Sequence, residues 1–207
     1  MKVLAINGSP HEHGCTFTAL HIIAEEMAAA GIDVEIAHIG TAPVRGCAAC
    51  SVCTGTSAGL CVFDDDIANQ LIIKMREADG LIIGSPVHFS GIAGTLKSLL
   101  DRLFYVNGHL MKDKVGMAVA SARRSGGVTT FDQLNHYFTY AQMPLATSCY
   151  WNVIHGKTPE QVVQDEEGCQ IMRQAGRNMA WLMQSIAAAN IAKPRREERV
   201  WTNFIRN

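Results

Sequence analysis

Apolar residues fall along this chain in two alternating patterns. Short continuous runs occupy residues 3–6, 34–39, 81–84 and 115–120, with a weaker one at 145–151. Runs of this length, closed by glycine or polar residues, read as strands buried on both faces. Between them, at about 16–30, 64–78, 95–104, 129–141 and 167–189, apolar residues recur every three or four positions. That spacing predicts helices with one buried stripe. Gly31 stands where a helix C-terminus favours a left-handed residue, and Asp64, Asp65 and Asp66 stand where an N-terminus favours negative charge.

Strands alternating with helices predict βαβ units joined by right-handed crossovers. The expected fold is α/β, a doubly wound five-stranded parallel sheet with helices on both faces. One domain is expected over residues 1–207, with a cysteine-rich insertion loop at about 41–63 that has no period. A tail at about 193–207 is charged and then aromatic. Folds of this kind bind ligands beyond the carboxyl ends of their strands. The unusual residues of the chain gather in three such places.

The first loop, Ser9-Pro10-His11-Glu12-His13-Gly14-Cys15-Thr16, runs directly into a helix. Hydroxyls and backbone N–H groups there suit a phosphate, although an ordinary capped turn has the same composition. It carries neither a P-loop lysine nor a dinucleotide G-x-G-x-x-G. The second loop, Pro86-Val87-His88-Phe89-Ser90-Gly91, offers rigid apolar surface and backbone donors, as a flat ring with a polar edge requires. Read singly, Phe89 is equally a core aromatic and His88 a surface histidine. The third, Ser121-Ala122-Arg123-Arg124-Ser125-Gly126-Gly127, reads alone as a solvated turn.

Charge and cysteine content narrow the class. With 18 Lys+Arg against 19 Asp+Glu, the 207 residues carry a net charge of −1, which argues against a nucleic-acid partner. No apolar run reaches the roughly 18 residues of a membrane span, so no membrane partner is expected. Residues 1–8 are too short and too soon broken for a signal peptide. The seven cysteines are odd in number, which suits a reducing, cytoplasmic location rather than a disulfide scaffold.

Four of them form the series Cys47-x2-Cys50-x2-Cys53-x7-Cys61. An evenly spaced C-x2-C-x2-C run with a fourth cysteine further on is a spacing used for [4Fe-4S] clusters. Structural zinc more often uses two separated C-x2-C knuckles, and buried free thiols would also explain such a loop. Cys15, Cys149 and Cys169 read as packing residues.

Several stretches together carry a family resemblance. They are Gly8-Ser9-Pro10 with Gly14 and Thr16, and Gly84-Ser85-Pro86-Val87 running through Leu96-Lys97 to Asp101-Arg102. Tyr150-Trp151-Asn152, Asp165-Glu166-Glu167-Gly168 and Thr202-Asn203-Phe204-Ile205-Arg206 continue the series. In this order they resemble the NADPH-dependent FMN reductase family of flavodoxin-like proteins, and its iron–sulfur flavoprotein branch in particular. The resemblance implies an FMN whose phosphate is held by Ser9, Pro10, His11, Gly14, Cys15 and Thr16. Its ring would lie on Pro86, Val87, His88, Phe89, Ser90 and Gly91. Ser121, Ala122, Arg123, Ser125, Gly126 and Gly127 would stand near the pyrimidine edge, and Cys47, Cys50, Cys53 and Cys61 would be the metal ligands. His11 replaces the arginine usual in the family, and His88 the usual tyrosine.

The same resemblance implies NAD(P)H as electron donor, a small-molecule substrate or a redox protein such as ferredoxin as partner, and a homodimer or homotetramer. The reading is an FMN-dependent oxidoreductase, either an FMN/quinone-type reductase or an iron–sulfur flavoprotein. A cofactor that carries the chemistry needs no acid–base triad. Arg123 or Arg124 could stabilise a reduced anionic flavin, or form an exposed pair with no such role. Two alternatives are a non-enzymatic flavodoxin-like carrier, which the near-neutral charge disfavours, and a zinc or thiol binding module without flavin. Trp201, Phe204 and Ile205 are expected to pack on the domain or across an interface.

Overall fold

The computed structural model describes residues 1–55, 59–195, 197, 198, 200 and 202. The strands are β1 (Lys2–Asn7), β2 (Asp33–His38), β3 (Gly80–His88), β4 (Gly91–Ile92), β5 (Val115–Ala122) and β6 (Val153–His155). The helices are α1 (Cys15–Ala29), α2 (Val52–Gly55), α3 (Ala68–Glu77), α4 (Gly94–Asn107), α5 (Gly127–Tyr140), α6 (Pro159–Val162) and α7 (Glu166–Ala188). The sheet runs β2-β1-β3-β5-β6, all parallel, and β4 pairs antiparallel with β3. Without β4 this is the doubly wound order 2-1-3-4-5, whose switch point lies between β1 and β3.

The alternation of side chains along a strand separates the two cores. From β1, Leu4 and Ile6 pack with Leu71 and Ile72 of α3, Leu96 and Leu100 of α4 and Phe138 of α5. Val3 and Ala5, one position out of phase, pack on the opposite face with Leu20 and Ile23 of α1 and Met172 and Met179 of α7. Both faces are covered, which is why these strands read as continuous apolar runs.

Four details differ from the sequence-based expectation. The sheet has six strands rather than five, because the second loop folds back as the β3–β4 hairpin. Phe89 and Ser90, with φ of 48° and 58°, form its two-residue turn between the pairs Val87–Ile92 and His88–Gly91. The weak run at 145–151 is not the last strand. Leu145 makes a single bridge to Gly116, the chain leaves the sheet, and it returns only at Val153–His155. Tyr150 and Trp151 face solvent, and the turn is tied by Ser148 to the Tyr150 carbonyl and by Asn152 to the Ala118 carbonyl.

The acidic run also lies just outside its helix. α3 begins at Ala68, whose N–H donates to Asp66 Oδ1 at 3.0 Å. Cys149, expected to pack, is exposed, whereas Cys169 is buried and Cys15 half-buried. A cysteine beside Tyr150 in a solvent-facing turn has no core to enter. The apolar tail positions Trp201, Phe204 and Ile205 lie outside the described residues.

Candidate functional site

The carboxyl ends of β1, β3 and β5 bring the three unusual segments together. Thr16, in the first turn of α1, and Ser121, on β5, are both buried and hydrogen-bonded through their hydroxyls at 2.8 Å. The segment between β1 and α1 is braced internally. Asn7 Nδ2 donates to the Glu12 carbonyl at 2.9 Å, the Ser9 N–H donates to Asn7 Oδ1, and the His11 N–H donates to Ser9 Oγ at 3.0 Å. His38 at the end of β2 pairs with the Ser9 carbonyl at 2.8 Å. Asn7 and His38 were missed by sequence reasoning, since a lone Asn at a strand end and a His on an edge strand carry no local signal.

The N-terminus of α1 opens at Gly14 with no side-chain cap and no acidic residue in its first turn. The leading N–H groups of α1 therefore meet no side-chain cap, and no acidic side chain of the first turn offsets its positive dipole end. Pro10 and His11 are exposed and Ser9 and Thr16 are buried, so the segment presents donors on a fixed base.

The second and third segments meet at Gly126. With φ at +90°, it adopts a conformation that L residues rarely take, and a Cβ there would stand 2.8 Å from the Ser90 backbone and from Val87. Thr130 Oγ1 donates back to the Gly126 carbonyl at 2.9 Å. Val87 packs with Ala120, Ala122 and Val153. Pro86 and Gly91 are half-buried, His88, Phe89 and Ser90 are exposed, and the Phe89 ring stands clear of the hairpin. Of the third segment, Ser121, Ala122 and Gly127 are buried, whereas Arg123, Arg124 and Ser125 point to solvent. The result is an apolar step at Val87 beside the exposed Arg123 and Arg124, with β5 tied to the first turn of α1 through Ser121 and Thr16.

The cysteine segment lies along α4. Cys47, Cys50, Cys53 and Cys61 line one void of about 20 Å³ with Phe63, Arg102, Tyr105 and Val106. Ala49 and Ser51 take positive φ on either side of Cys50, which turns the backbone around that thiol, and the Ala49 N–H approaches Cys47 Sγ at 3.5 Å. Cys53 rides on the single turn α2. Burial raises its thiol pKa, and the neighbouring Cys61, Cys47 and Cys50 thiols add to the rise. Among the described residues no three His, Cys, Asp or Glu side chains form a ready metal cage. Four thiols on one void are nonetheless the donor set that an iron–sulfur cluster or zinc takes.

Two buried polar residues hold this segment. Asn69 of α3 receives the Cys61 N–H at 2.9 Å and donates to the Cys61 carbonyl at 3.0 Å. Arg102 of α4, 1% exposed, pairs with Asp66 and donates to the Phe63 and Arg45 carbonyls at 2.7 and 3.3 Å. Burial opposes the Arg102 charge, but the hydrogen-bonded Asp66 carboxylate outweighs it and holds the guanidinium pKa above the usual value. Burial likewise opposes the Asp66 charge, and the Ala68 N–H and Arg102 reverse that effect and lower its pKa. Asn69 does not stand out in the sequence, and Asp66 does so only as part of the acidic run before α3.

The Leu96-Lys97 and Asp101-Arg102 motif thereby acquires a physical meaning. Leu96 packs so closely on Gly8 that a Cβ there would stand 2.3 Å from it. Asp101 accepts from Lys97 and, at 2.5 Å, from Tyr137 of α5. Burial and the Asp101 carboxylate push the Tyr137 pKa up to about 12. Arg102, the next residue, faces the thiols. One helix therefore joins β4 to the cysteine void, eight residues or about 12 Å from Gly94 to Arg102.

The parallel sheet order 2-1-3-4-5 with helices on both faces defines a flavodoxin-like protein. Residues 1–158 match the model of the NADPH-dependent FMN reductase family, and the chain belongs to that family. It is 34% identical over 198 residues to an iron-sulfur flavoprotein of Methanocaldococcus jannaschii, covering 90% of this chain and 99% of that one. It is 33% identical over 172 residues to an iron-sulfur flavoprotein of Archaeoglobus fulgidus, covering 81% and 83%. The solved structure of RosB with bound 8-demethyl-8-formylriboflavin-5'-phosphate superposes with a TM-score of 0.72 at 13% identity, covering 98% of this chain and 92% of that one, a likeness of fold. The chain is an FMN-dependent oxidoreductase.

Proposed function

We propose that this oxidoreductase binds FMN across its three strand-end segments and a [4Fe-4S] cluster on Cys47, Cys50, Cys53 and Cys61. The observation that carries the proposal is the convergence of all four thiols on one void, at the far end of the helix that begins beside the β3–β4 hairpin. FMN would supply two-electron uptake from NAD(P)H and release of electrons one at a time.

The chain's own residues divide the work of binding. The N–H groups opening α1, with Ser9, Pro10, His11, Gly14, Cys15 and Thr16, hold the phosphate. Pro86, Val87, His88, Phe89, Ser90 and Gly91 support one face of the ring and keep water from it. Backbone donors of Ser121 to Gly127 meet the pyrimidine edge, where Arg123 or Arg124 offsets the negative charge of the reduced form. Asn69 and Arg102 fix the thiol segment. Electrons then leave to a one-electron carrier such as ferredoxin or to a small-molecule acceptor.

No helix among the described residues is long and apolar enough to cross a membrane. The proposed setting is the cytoplasm, and the proposed assembly a homodimer or homotetramer.

An anaerobic preparation tests the proposal through its absorption spectrum and its iron, sulfide, zinc and FMN content per chain. Near four irons and four sulfides per FMN, with broad absorbance near 400 nm, is the expected result. Flavin bands without iron would overturn the cluster and leave a reductase with free thiols. Bleaching of the flavin by NADPH distinguishes direct reduction by a nicotinamide from reduction through a protein carrier.

A further inference from the structure

The buried side chain of Arg102 has one feature that its role as a brace leaves unexplained. A guanidinium carries five N–H groups in a fixed plane. The terminal nitrogens are used, by the Asp66 carboxylate and by the Arg45 and Phe63 carbonyls. Nε is buried and has no partner among the described residues. Leaving a buried donor unmade is costly, the more so on a charged group, and native proteins rarely do so. A brace alone would be satisfied by the terminal nitrogens.

The place of the residue supplies the missing acceptor. Arg102 lines the same void as the four cysteines, Cys61 among them. Thiolate and sulfide sulfurs are acceptors that such a donor would meet there. Hydrogen bonds to cluster sulfurs are among the protein's means of setting an iron–sulfur potential, because they stabilise the more negative, reduced state. Asp66 pairs with a terminal nitrogen of Arg102 and leaves Nε as the guanidinium donor without a partner among the described residues.

We infer that Arg102 is a positioning residue that donates its Nε hydrogen to a sulfur of the four-cysteine site and thereby raises the reduction potential of the group held there. The inference rests on the proposed cluster. It assigns to this arginine a task separate from holding the loop. When one electron enters from the flavin or from an added reductant, the guanidinium keeps its proton and its charge, and the N–H to sulfur contact tightens as the sulfurs become more electron-rich.

Two measurements test it on the cluster-loaded protein. First, the wild-type chain labelled with ¹⁵N in its arginine Nε atoms is reduced by one electron and examined by electron–nuclear double resonance. A ¹⁵N coupling to the reduced cluster, absent in Arg102→Lys, is expected; a loaded, reduced cluster without such coupling overturns the inference. Second, the cluster potential is titrated in Arg102→Lys, which keeps a cation beside Asp66 and lacks Nε. The reduced state should be disfavoured about tenfold, or 59 mV for one electron. An unchanged potential at full iron and sulfide content also overturns it. Absence of iron and sulfide from the wild type would instead refute the cluster reading itself, and with it the premise of this assignment. If Arg102→Lys does not fold, the labelled wild type still decides by the presence or absence of the coupling.

Discussion

Asn69 grips Cys61 at both of its backbone groups, accepting from the N–H at 2.9 Å and donating to the carbonyl at 3.0 Å. The amide also reaches the Phe63 carbonyl at 3.4 Å. A helix side chain thus takes the place of a strand neighbour for a loop that has no ladder of its own. Asn69→Ala should cost on the order of 2 kcal/mol of local stability, since several loop groups lose their partner. The expected result is reduced iron per chain with FMN content unchanged, read by metal and flavin counts on one preparation. Equal loss of both would mean that Asn69 supports the whole domain.

The hydroxyl pair Thr16 and Ser121 joins the first and third segments. Thr16→Val keeps the shape and leaves Ser121 buried without a partner, which costs roughly 1–3 kcal/mol. Urea melts should show that loss, and flavin titration should show weaker binding. Combining it with Ser121→Ala should recover much of the stability without restoring affinity, because no orphaned hydroxyl remains.

Gly126 is held at φ +90° with the Ser90 backbone against its Cα. Gly126→Ala adds backbone strain of about 1–2 kcal/mol and a clash that only movement of the hairpin relieves. Binding of FMN should weaken at least tenfold while circular dichroism stays unchanged. Full affinity in the variant would remove the third segment from the flavin site.

Tyr137 gives the chain an alkaline transition. Burial and Asp101 raise its pKa to about 12 in the folded state, against 10.0 unperturbed. The folded form therefore binds the phenolic proton more tightly than the unfolded form. This stability is intact below pH 10 and is lost as pH rises toward 12, by at most about 3 kcal/mol. Urea midpoints measured from pH 9 to 12 should fall more steeply in the wild type than in Tyr137→Phe. Parallel slopes would show that other groups carry the alkaline loss.

How much of this was legible beforehand depended on the range of the interactions. Val3 to Ile6, the Gly14 helix opening and the Pro86 to Gly91 segment announced themselves through local pattern. The run at 145–151 misled because Tyr150 and Trp151 are apolar yet exposed, and only pairing with β5 selects Val153 to His155 as the strand. His38 was invisible because it acts on Ser9 backbone that the fold brings close, and Asn7 and Asn69 because an amide that braces a nearby loop has no distinctive local pattern.

The sequence by itself determined the order of strands and helices, the three strand-end segments and the spacing of four cysteines. These follow from side-chain periodicity and from residue types that local backbone geometry demands. The tertiary structure alone decided that the four thiols share one void, and that α4 links that void to the β3–β4 hairpin. It alone decided that Arg102 lines that void with its Nε hydrogen unpartnered among the described residues. The placing of Arg102 and Tyr105 of α4 against the cysteine segment, far earlier in the chain, is set by how the helices pack on one sheet, which no local pattern encodes.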